Sequence, residues 1–169
     1  NTTSSSLMPT PIWSNSADNA AANWGGRQTA SSIFENLKES VFLIWVFKSQ
    51  ADADEGKASG SGSGVAVSAN TVLTNCHVAE KAAVLILVNK QMKTIGKLIK
   101  ANSSKDACVL RVEGNLIPVP ALRKYSSLEI GETVYSLGSP KGFLNTFAEG
   151  NVSGLRTKVS NRKEIQHTA

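Results

Sequence analysis

The chain is 169 residues long, enough for one domain or two small ones with a real core, and its 41% hydrophobic and 18% charged residues are those of a globular protein. The longest apolar stretch, Val41–Phe47, is strand-sized, which excludes a membrane-spanning helix and makes a soluble protein the expectation. The net charge of +5 comes from lysines and arginines scattered without a basic block or an interleaved aromatic ladder, so no nucleic-acid partner is expected.

Taken in chain order, the sequence begins at Asn1 with no basic, apolar, cleavable leader, so a processed form or a portion of a longer protein is expected. Residues 1–31 are rich in Asn, Thr, Ser and Ala, include Pro9, Pro11 and the Gly25-Gly26 pair, and lack periodicity; they are read as an N-terminal extension. Ser32 with Glu35 has capping-box form, and Ile33, Phe34 and Leu37 make one apolar face, which predicts a short helix over 32–39. The texture then changes to β-branched and aromatic runs between glycine, serine and asparagine, predicting strands near 41–47, 64–68, 71–75, 83–88, 93–100 and 107–112. Residues 52–63, acidic and then alternating glycine with serine, read as a flexible loop. Six short strands with no helical pattern between them argue for an antiparallel barrel or sandwich, and the barrel is preferred. It occupies 32–120. After Pro118 and Pro120 a second unit, 121–169, supplies strands near 133–137, 146–155 and 163–168, too few to close a barrel.

Of two histidines, His167 lies in a polar strand, whereas His77 stands at the end of Thr74-Asn75-Cys76-His77-Val78, behind an apolar run. A lone histidine is more often structural than catalytic. Asp106 shifts that balance: a histidine general base needs a carboxylate to fix its tautomer, and Asp106 is the one aspartate after His77. It opens the strand Ala107-Cys108-Val109-Leu110, where its backbone would be rigid; a turn-forming role is the alternative.

Here the chain resembles the trypsin-like peptidases, and within them the HtrA or Deg branch. The segments that carry the likeness are Gly62-Ser63-Gly64-Val65-Ala66-Val67, Val72 through Val78, Lys105 through Val112, Ile130 through Gly142, and Glu149-Gly150-Asn151-Val152-Ser153-Gly154. Each is weak alone; five in order, covering 32–169, are specific. The resemblance implies an all-β, trypsin-like double β-barrel, the first barrel complete and the second partial, with a short helix before the first strand. It implies a serine endopeptidase with catalytic residues His77 as general base and Asp106 as orienting carboxylate, acting on polypeptide substrates without cofactor or metal.

The family's Gly-x-Ser-Gly-Gly segment would follow a strand like Ile165-Gln166-His167-Thr168-Ala169, so the 169-residue chain alone is expected to be inactive. Ser61, Ser63, Ser139 and Ser153 lack the flanking pattern of a nucleophile. The resemblance also brings Cys76 and Cys108 into one neighbourhood, as a disulfide or as two small buried thiols. Zinc held by Cys76 and His77 is not expected, because adjacent strand residues point to opposite faces. By resemblance, Trp13, Trp24 and Phe34 are candidates for homo-trimer contacts, and an extracytoplasmic location is expected. The alternative function is a serine-less pseudo-protease that binds extended peptides by strand addition; a further rival has a separate chain supplying the serine strand.

Overall fold

A computed structural model describes residues 28–157 and 163–169. The first helix, α1 (Ala30–Leu37), begins two residues earlier than expected, because the Thr29 hydroxyl, not that of Ser32, takes the cap and accepts the Ser32 N–H at 3.1 Å. Six strands follow: β1 (Val41–Phe47), β2 (Gly60–Ser68), β3 (Thr71–Thr74), β4 (Val84–Val88), β5 (Lys93–Asn102) and β6 (Ala107–Val112). They form a closed antiparallel barrel in the order β1-β2-β3-β6-β5-β4, β1 pairing with β4 to complete it. Closure leaves no unpaired edge. The interior is filled by alternate residues of each strand, among them Phe42, Ile44, Val72, Leu87 and Leu110, each fully buried.

The segment read as a flexible loop divides in two. Its start is a short helix, α2 (Gln50–Asp54), held by a reciprocal cap in which the Asp52 N–H donates to the Ser49 hydroxyl at 3.0 Å and that hydroxyl donates back to Asp52 at 2.8 Å. Its end belongs to β2, and two of its alternating glycines, Gly62 and Gly64, are there for space. A Cβ on Gly62 would lie 2.6 Å from a Val78 methyl, and one on Gly64 would lie 2.6 Å from Val72. At these positions the barrel has no room for a side chain, so glycine in this strand reports crowding and not flexibility.

The remaining strands, β7 (Thr133–Gly138), β8 (Thr146–Thr157) and β9 (Lys163–His167), make a three-stranded antiparallel sheet in the order β7-β8-β9. The fold is all-β, a closed six-stranded barrel followed by part of a second. The two are joined where the Ser139 N–H donates to the Ser63 hydroxyl at 2.9 Å and where Gly142 packs so close to Trp45 that a Cβ would sit 2.9 Å from the indole. Phe34 of α1 meets Phe147 of β8 edge-on at 5.5 Å.

Candidate active site

The site lies at the end of the barrel where β3 and β6 run side by side, with Thr74 opposite Cys108. That register places the residues after β3 beside those before β6. His77 is not at a strand edge as expected. It sits in α3 (Cys76–Ala79), a single turn that begins two residues after β3 ends. Asp106 follows a 3-10 turn, Ser103–Lys105, and adopts the left-handed conformation (φ 52°, ψ 41°) before β6 begins. A non-glycine residue in that conformation is uncommon and persists where its surroundings hold it.

They hold it through the carboxylate. One oxygen, Oδ1, accepts the His77 backbone N–H at 3.0 Å; the other, Oδ2, meets His77 Nδ1 at 2.7 Å and accepts the Asn75 side-chain amide at 3.1 Å. The same amide nitrogen donates to the Asp106 carbonyl at 3.1 Å. Asn75 occupies the N-cap position of α3 but makes no side-chain cap; its amide is turned to Asp106 instead. The His77 backbone N–H, then the His77 ring, lower the Asp106 pKa, against a smaller upward effect of desolvation and with help from Asn75. An ionised carboxylate only accepts, so Nδ1 carries the proton and Nε2 presents its lone pair. The His77 side chain is 72% exposed, and among the described residues nothing is hydrogen-bonded to Nε2.

Behind this pair lies a covalent tie. Cys76 and Cys108 form a disulfide with Cα atoms 4.9 Å apart, joining the residue before the histidine to the second residue after the aspartate. Both are buried. The Glu80 carboxylate lies close to the two sulfurs and accepts the Ser103 hydroxyl, the one such donor grouping among the described residues; sulfurs bonded to each other are not thiolate ligands. A cleft of about 510 Å³ opens beside Asp106, between the barrel and β7, and is walled by Val41, Val65, Leu73, Val119, Tyr135 and Leu137. Asp106 and Asn75 stand on its wall, while His77 lies outside it.

Three serines weighed from the sequence have defined surroundings. Ser139 is buried, Ser63 accepts from the Ser139 backbone, and Ser153 lies in β8; none of these hydroxyls is hydrogen-bonded to His77 among the described residues. His167, in β9 of the second sheet, pairs with Val152 of β8. Asn75 is the residue sequence reading missed: asparagine before a helix is expected to cap it, and nothing in the chain marks its turn toward an aspartate thirty-one positions on.

The model of the trypsin-like peptidase domain matches residues 62–169. The chain belongs to that family. Among curated trypsin-like relatives, a protein of Hahella chejuensis named "Probable periplasmic serine endoprotease DegP-like" is 35% identical over 95 residues, 56% of this chain and 20% of that protein. One of the same name from Ectopseudomonas mendocina is 37% identical over 83 residues, 48% of this chain and 18% of that protein. The matched part thus spans about a fifth of the length of these relatives. Among solved structures, the HtrA-type protease AlgW, determined with a tripeptide, superposes with a TM-score of 0.71 at 23% identity, over 82% of this chain and 46% of that one. That likeness is one of fold.

Proposed function

We propose that the protein is a serine endopeptidase of HtrA type, in which His77 is the general base and Asp106 the carboxylate that orients it. The single observation that carries the reading is the two-point grip of Asp106 on His77, through the ring at 2.7 Å and the backbone N–H at 3.0 Å. A histidine base must keep a fixed tautomer while its charge changes, and a carboxylate held on Nδ1–H does both.

In the proposed cycle a serine hydroxyl from outside the described residues attacks the substrate carbonyl carbon as Nε2 takes its proton. The tetrahedral adduct collapses with cleavage of the C–N bond, and the same proton passes from Nε2 to the departing amine. Water, deprotonated by Nε2, then attacks the acyl ester, and the proton returns to the serine oxygen. Asp106 stabilises the imidazolium throughout without being protonated. Substrates are polypeptides. The domain plan is an N-terminal extension (1–31), a barrel that supplies base and acid (32–120), and the beginning of a second barrel (121–169). An extracytoplasmic location is supported by the relatives' printed names, which describe periplasmic proteins. A homo-trimer would be held through the N-terminal segment; Trp13 and Trp24 lie outside the described residues, and Phe34 is engaged with Phe147 within the chain.

The test is peptide hydrolysis by the whole protein. H77A is expected to abolish turnover and D106N to reduce kcat by about 10⁴-fold, while the isolated 169-residue chain gives no turnover of casein. Turnover that survives H77A refutes the assignment.

A further inference from the structure

Four of the eighteen cations that look scattered in sequence share one wall of the barrel. β4, β5 and β6 contain no acidic and no aromatic residue, and their outward positions carry Lys93, Lys97, Lys100 and Arg111. Lys97 stands directly opposite Arg111 across the β5–β6 ladder, a like-charge pair that costs the free protein stability. Among the described residues none of the four cations is in an ion pair. Between them project Ile95, 66% exposed, and Ile99, 48% exposed, with Ile86 paired beside Ile95. Acids occur at the margins: Asp54 of α2, held by Gln50, borders Lys93 and Ile95, and Glu113 follows β6.

We infer that this wall is a docking surface for an anionic phospholipid bilayer. Cations with protruding aliphatic side chains, and no acids among them, are complementary to a plane of phosphate headgroups above acyl chains. Nucleic acid fits less well, because β4, β5 and β6 offer no ring on which a base can stack, and Trp45, which borders Ile86 and Lys93, is packed against Gly142. An extended peptide adding to the sheet fits less well too, because every strand of the wall is already paired on both sides. The surface is separate from His77 and Asp106, so it stands whether or not the peptidase reading does.

The test is cosedimentation of the 169-residue chain with vesicles of phosphatidylcholine, with and without about one-third phosphatidylglycerol. Binding is expected to the anionic vesicles alone and to weaken as salt is raised. Each cation near the surface contributes about fivefold, so K97Q/K100Q should weaken partitioning about 25-fold. I95S/I99S should weaken it about tenfold at unchanged net charge, and K38Q/K124Q, an equal charge change off the wall, should leave it within about twofold. All but Lys38, which is part-buried and paired with Glu35, are exposed positions, so far-UV circular dichroism should not move in any variant and the urea midpoint should hold in K97Q/K100Q and I95S/I99S. Equal binding to neutral vesicles, no binding to anionic ones, equal losses in K97Q/K100Q and K38Q/K124Q, or indifference to I95S/I99S would each overturn the inference; the last, with retention on an RNA oligonucleotide, would mark a general polyanion site.

Discussion

Reducing the Cys76–Cys108 disulfide should destabilise the protein by a calculable amount without breaking a barrel hydrogen bond. The cross-link spans a sequence separation of 32 residues, for which the chain-entropy relation gives about 12 cal/mol/K, or about 3.7 kcal/mol at 25 °C. At 2–4 °C per kcal/mol for a chain of this size, that is a fall in Tm of roughly 10 °C. Comparing oxidised protein with the same protein refolded under phosphine reductant keeps every heavy atom and removes only the bond. Urea unfolding followed by tryptophan fluorescence gives both midpoints. Coincident midpoints would refute the reasoning, as would alkylation of both sulfurs in unreduced, denatured protein.

Two further outcomes follow from packing and charge. Gly64→Ala puts a Cβ 2.6 Å from Val72 and 2.8 Å from Ile44 inside the barrel and should cost about 1–3 kcal/mol in urea unfolding, whereas Gly60→Ala, with nothing within 4 Å of its Cβ, should be close to neutral. Folding lowers the Asp106 pKa from its ordinary 3.8, so the stability this group contributes is present above that pH and lost as pH falls through the folded value. Acid titration of stability should therefore be steeper below about pH 4 in wild type than in D106N; parallel curves would show that the carboxylate gains nothing from its partners.

Much of the barrel was legible because its strands are short apolar runs with punctuation. The strands 41–47 and 107–112 match the sequence reading to the residue, and most others to within two, since Val, Ile and Leu at alternate positions leave one way of burying them. Where the reading slipped, a local signal had two meanings. Gly60, Gly62 and Gly64 look like linker composition, yet Gly62 and Gly64 are what a crowded barrel demands. Thr29 and Ser32 both have the chemistry of a cap, and only the chain's path chose between them. The site was half legible. His77 and Asp106 could be named from order and motif, but the turn of helix under His77, the left-handed backbone of Asp106 and the amide of Asn75 arise from the β3–β6 register, which pairs residues more than thirty apart. The cationic wall was invisible for the same reason: Lys97 and Arg111 become neighbours only when β5 pairs with β6.

In the neutral ring, Asp106 fixes His77 with its proton on Nδ1 and its lone pair on Nε2. Long-range ¹H–¹⁵N correlation spectra of ring-labelled protein, with His167→Gln to leave one imidazole, read the tautomer directly. Wild type at a pH where the ring is neutral should show a protonated Nδ1 and an unprotonated Nε2, and D106N should relax toward the Nε2-protonated form that free imidazole side chains prefer. An Nε2-protonated ring in wild type, or identical spectra in wild type and D106N, would contradict the account.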